Sequence, residues 1–101
     1  MTALRLQLLD NAGSVIYDLV NNPDNYHNDK ARVEAYNEAV CFFKFALQHI
    51  KKAAGKNTTM YMGLSDSAYA FYVKIDRFIK MLAPEMEKDA YTYGIAAEVY
   101  P

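Results

Sequence analysis

"LRLQLLDNAGSVIYDLV", Leu4 to Val20, reads in two ways, and the choice sets the fold class. As strands, "LRLQL" alternates, "DNAG" offers a turn, and "SVIY" favours extended backbone. Residues 3–20 would then form a β-hairpin. As a helix, Leu4, Leu8, Ala12, Val15, Ile16 and Leu19 recur on one face. Thr2 would cap it, and Asn21-Asn22-Pro23 would end it. The helical stripe passes Gly13 without a change of phase, whereas an isolated two-stranded hairpin is marginal in water. The helix is therefore the primary reading and the hairpin the alternative.

The next signals are helical throughout. "NNPDNYHND", Asn21 to Asp29, is a loop by composition. Asn28 or Asp29 then caps a long helix with the stripe Tyr36, Ala39, Val40, Phe43, Leu47, Ile50 and Ala54, widened by Phe42, Phe45 and Ala46. So wide a stripe marks the central helix. Glu34 and Glu38 stand early and Lys51 and Lys52 late, as the helix dipole prefers, and Gly55 occupies a C′ position. After a linker over 56–64, Ser65 caps a further helix with the stripe Ala68, Phe71, Tyr72, Ile75, Phe78, Ile79 and Leu82. Ala83-Pro84 predicts a break and a short fourth helix ending near Gly94, with "IAAEVYP" as a last turn or an extended tail. The expected fold is all-α: a small antiparallel bundle of three to four helices in a single domain over residues 1–101.

With 101 residues and 52% hydrophobic content, the chain has enough apolar surface for one modest core. Its apolar runs are too short to span a bilayer, and Arg5, Gln7 and Asp10 interrupt the N-terminal leucines as no signal-peptide core would allow. These features predict a cytoplasmic protein with no membrane partner. The single cysteine, Cys41, cannot form an internal disulfide, and its apolar neighbours predict a small buried hydrophobe.

The net charge of −1 conceals a segregation. Residues 1–38 and 83–101 are net acidic. Residues 39–82 are net basic, through Lys44, Lys51, Lys52, Lys56, Lys74, Arg77 and Lys80. A basic middle suits an anionic partner such as nucleic acid, or charge complementarity within one bundle or one oligomer.

Motifs for catalysis are weak. "AAGKNTT", Ala53 to Thr59, resembles the end of a phosphate-binding loop, but Asn57 follows Gly55-Lys56 and Ile50 stands where the upstream glycine belongs. The segment before it is helical, and a helix C-terminus presents carbonyls that repel phosphate. His27 lies between Asp24 and Asp29, a sparse cation site against the simpler reading of a polar loop. The serines have no nucleophile-elbow context. No cofactor, metal site or enzymatic activity is expected.

Tyrosine is the unusual feature: nine residues, with no tryptophan. Tyr36 and Tyr72 fall on core stripes, while Tyr26, Tyr61, Tyr91, Tyr93 and Tyr100 lie in or beside loops and ends. Tyr and Met are enriched at protein interfaces, and such tyrosines also cap the open ends of small bundles. The candidate binding surface is Lys51, Lys52, Lys56, Met60, Tyr61, Met62 and Tyr69, all near one end of the second and third helices. The expected function is a small non-enzymatic binding protein acting through protein–protein contacts. It would be an inhibitor or adaptor of a larger complex, of the kind mobile elements direct against defence systems. The alternatives are a nucleic-acid or nucleotide-phosphate module using the basic middle, and a homo-oligomeric assembly subunit.

Overall fold

A computed structural model describes residues 3–54 and 64–100. Three helices run through them: α1 (Leu4–Asn21), α2 (Asp29–Ala54) and α3 (Asp66–Thr92), with a 3-10 turn over Pro23–Asn25. The described residues contain no strand, so the hairpin alternative for residues 3–20 is overturned. The reason is burial at helical spacing: Leu9, Ala12, Ile16 and Leu19 all lie in the core. The stripe is rotated slightly from the expected one, leaving Leu4 at the solvent edge. Ala3 takes the N-cap position of α1, without a side-chain bond. The expected cap Thr2 lies outside the described residues, as does Gly55.

The α1–α2 connection and the starts of α2 and α3 are built from local polar bonds. Asp18 accepts from the side-chain amides of Asn22 and Asn25, at 3.2 and 3.1 Å, and from the Tyr26 hydroxyl. One carboxylate thus ties the last turn of α1 to the 3-10 turn. The Asn28 side chain accepts from the Ala31 N–H at 2.8 Å, and Ser65 accepts from the Ala68 N–H at 3.2 Å. These are the N-caps expected of α2 and α3.

Pro84 does not break the chain: α3 continues through it. A proline inside a helix costs about 3 kcal/mol. Here the buried series Tyr72, Ile75, Ile79, Leu82, Met86 and Ala90 keeps helical phase across the proline, whose ring faces solvent. Burying Met86 alone returns about 1.5–3 kcal/mol. Glu85 adds an ion pair to Arg32 at 2.8 Å. The separate fourth helix is replaced by one longer helix.

Contacts fix the directions. Arg32 meets Glu85 and Phe43 stacks on Tyr72, so α2 and α3 run antiparallel. Tyr17 meets both Phe71 and Phe78, with the Lys74 ammonium 5.4 Å from its ring centroid. Gly13 permits this approach, because a Cβ there would fall 2.2 Å from the Phe71 ring.

At its C-terminus α3 closes on Gly94, with φ +68°. The Gly94 N–H donates to the Tyr91 carbonyl and the Ile95 N–H to the Ala90 carbonyl. This is a Schellman ending, which glycine accommodates without strain. It turns the chain back, and residues 95–100 leave as an extended tail along α2 and α3 rather than as a last helical turn.

Candidate functional site

The tail lies between a stripe on α2 and a stripe on α3, which form the two sides of a groove. On α2, Asn37, Lys44 and Lys51 are spaced by seven residues, about two turns, so they share one face. On α3, Asp76, Tyr72 and Tyr69 follow one another at helical spacing. The tail fills the first part of this groove. The Asn37 side chain donates to the Ala96 carbonyl at 2.9 Å and accepts from the Glu98 N–H at 2.7 Å. Lys44 pairs with the Glu98 carboxylate at 2.9 Å. The Tyr100 hydroxyl donates to Asp76.

Aromatic rings extend the same line. Tyr100 tilts against Phe43 at 5.6 Å between centroids, Phe43 stacks on Tyr72 at 5.3 Å, and Tyr72 stacks on Tyr69 at 6.1 Å. Phe43 is wholly buried and Tyr72 nearly so, while Tyr69 is 37% exposed. The row therefore starts at the tail, crosses the core and emerges near the start of α3. Burial, and then Asp76, hold the Tyr100 hydroxyl well above the usual phenol range. Burial, and then the Asp76 charge, push Tyr72 in the same direction. Both rings stay neutral at ordinary pH and act as apolar bodies with a hydroxyl tip.

The structure separates the predicted site residues into three groups. Lys51 and Tyr69 belong to the two groove stripes and are exposed. Lys52, rotated by about 100° from Lys51, joins the outer face of α2 with Cys41, Phe45 and Gln48, all exposed. Lys56, Met60, Tyr61 and Met62 lie outside the described residues. The expectation of a buried Cys41 is overturned. So is the assignment of Phe45 to the core stripe, since its ring is 51% exposed. Both sit opposite the Phe43 side of the helix, where apolar neighbours in sequence do not imply burial.

The loop and end tyrosines divide. Tyr26 and Tyr100 are packed, Tyr91 and Tyr93 are exposed, and Tyr61 is not described. Tyr26 is pushed up to about 12, by burial first and then by its bond to Asp18. Sequence reasoning missed Asn37, Phe43 and Asp76 as groove residues. Their partners are distant in the chain, and only the seven-residue recurrence of Asn37, Lys44 and Lys51 hinted at a shared face.

The basic middle is partly engaged inside the protein. Lys44 pairs with Glu98, Lys80 with Asp76 at 3.1 Å, and Lys74 lies over two aromatic rings. Around the first loop, Asp29 lies 3.7 Å from Arg32. Among the described residues no group of three or more His, Cys, Asp or Glu is placed to hold a metal ion. Among those residues, too, no helix is long and apolar enough to cross a membrane.

Comparison of the chain with protein-family models, with curated proteins and with solved structures finds no match in any of the three.

Proposed function

We propose that the protein is a non-enzymatic binding module that docks on another protein through the open end of the α2–α3 groove. In the manner of an inhibitor or adaptor, it would act by occupying a surface of a larger complex. The observation that carries this reading is the aromatic row, which ends in Tyr69, 37% exposed, on the helix that packs against the one carrying Lys51. An aromatic ring backed by further rings is rigid and costs little side-chain entropy to immobilise, which suits an interface anchor. Lysines at the rim would favour partners with acidic rims and speed their encounter.

The phosphate-binding alternative draws less support, because Lys44, Lys74 and Lys80 already have partners inside the protein. The two readings separate in a pull-down from the native host, run across a salt series. The docking reading expects Tyr69→Ala to abolish capture of a defined protein, with modest salt dependence. Lys51→Glu with Lys52→Glu would mainly slow association. Capture that survives Tyr69→Ala but collapses steeply with salt would replace this reading with phosphate binding.

A further inference from the structure

The lower part of the α2–α3 groove holds residues 95–100 in a manner that goes beyond covering a core. The side chains of Glu98 and Tyr100 meet the groove two residues apart, the repeat of an extended chain, while Ile95 and Ala97 pack against the core and the Ala96 side chain is exposed. Asn37 brackets the backbone, taking the carbonyl of Ala96 and the N–H of Glu98. Lys44 reads the side chain at Glu98, and Asp76 with Phe43 reads the side chain at Tyr100. Val99, between them, faces solvent and is 76% exposed. An amide clamp on the main chain plus pockets for alternate side chains is how proteins recognise extended peptides. None of these contacts depends on the covalent link to α3. That link turns at Gly94, which has a positive φ.

We infer that this groove is a peptide-recognition site whose resident ligand is the chain's own tail. Its external ligand is an extended segment of a partner protein with the pattern Glu-x-Tyr, which enters by displacing the tail. The pattern follows from the groove's chemistry. Lys44 selects a carboxylate, and Asp76 accepts a hydrogen bond from a phenol two residues further on. The inference is independent of docking at Tyr69, because it concerns the occupied half of the groove and needs no identified partner.

The test uses the full chain carrying Glu98→Ala and Tyr100→Ala, which disarms the tail, and a fluorescent peptide with the sequence of residues 94–101. The disarmed chain should bind the peptide saturably. The wild-type chain, its groove occupied in cis, should bind about tenfold or more weakly. A peptide with lysine in place of the Glu98 residue should also bind about tenfold more weakly, because it faces Lys44. A folded, helical disarmed chain with no saturable binding would overturn the inference, as would equal binding of the lysine peptide.

Hydrogen exchange on the wild-type chain decides the matter even if the disarmed chain does not fold. A displaceable tail exchanges its Glu98 amide about a hundredfold faster than the core amide of Ile79, through local opening. Exchange of both at one rate would make the tail an inseparable part of the core and sink the inference.

Discussion

Asn37→Ala removes the bracket on the tail and leaves the helical core untouched. The amide makes two hydrogen bonds, at 2.9 and 2.7 Å, to backbone groups 59 and 61 residues away in the chain. Each such bond is worth about 0.5–1.5 kcal/mol net. Asn37 is only half-buried, so water takes over part of the bonding after the substitution. The expected loss is about 1–2 kcal/mol from docking of the tail, which raises the undocked population by about 5- to 30-fold. Asn37→Asp should loosen the tail as well. It keeps the acceptor for the Glu98 N–H but loses the donor to Ala96 and brings a second negative charge towards the Glu98 carboxylate. The readout is NMR: the Tyr100 ring should lose its through-space contacts to Phe43, while the Ile79 amide keeps its slow exchange. Two results would count against this role of Asn37. One is an unchanged Tyr100 signal, which would mean that Asn37 does not hold the tail. The other is loss of protection at Tyr100 and Ile79 in step, which would mean that the tail and the bundle open together.

Three further outcomes follow from packing and charge. Gly13→Ala gains about 1 kcal/mol of helix propensity but drives a methyl into Phe71 and within 3.1 Å of the Ile75 side chain. Overpacking costs about 1–3 kcal/mol, so chemical denaturation should show a net loss, reversed to a gain when Phe71→Leu is also present. If Gly13→Ala stabilises the wild-type background, Phe71 moves aside and the close approach is not a constraint. Pro84→Ala restores an N–H that can donate to the Lys80 carbonyl within α3, and should stabilise the protein by about 1–3 kcal/mol. A destabilised variant would show that Pro84 has a favourable role that its exposed position does not reveal. Finally, stability should fall in alkali. Tyr26 is raised to about 12, chiefly by burial, and Tyr17, Tyr36, Tyr72 and Tyr100 are raised as well. The folded state then holds protons that the unfolded chain releases near pH 10. Their contribution is therefore complete below pH 10 and is lost as pH rises towards 12 and beyond. A denaturation midpoint that stays flat from pH 9 to 12 would contradict this, and Tyr26→Phe should reduce the slope.

The helices were legible where local chemistry and burial agree. Asn28 and Ser65 cap α2 and α3 as their side-chain types predict, and Gly94 ends α3. Pro84 misleads because a strong local rule meets a stronger tertiary one. The apolar phase through Leu82, Met86 and Ala90 carries the helix past it. Cys41 and Phe45 mislead in the opposite sense, since composition suggests burial while helix phase turns them outward. Of the candidate surface, Lys51 and Tyr69 are named by their position at the helix ends, and both are exposed. The occupied groove was not, because Asn37, Lys44 and Asp76 acquire their meaning only when the tail, 24 to 61 residues away, is folded back on them. Nothing in the tail sequence "IAAEVYP" names the helices it meets.

On the proposed function, the open end of the groove faces a partner protein. A photo-crosslinking residue placed at Tyr69 and, separately, at Met81 tests it in extracts of the native host. Both sites are exposed on α3, about 18 Å apart along the helix axis. One defined protein adduct is expected at position 69, forming more slowly when Lys51→Glu is also present, and none at position 81. Equal labelling at both positions, or adducts to nucleic acid alone, would contradict it.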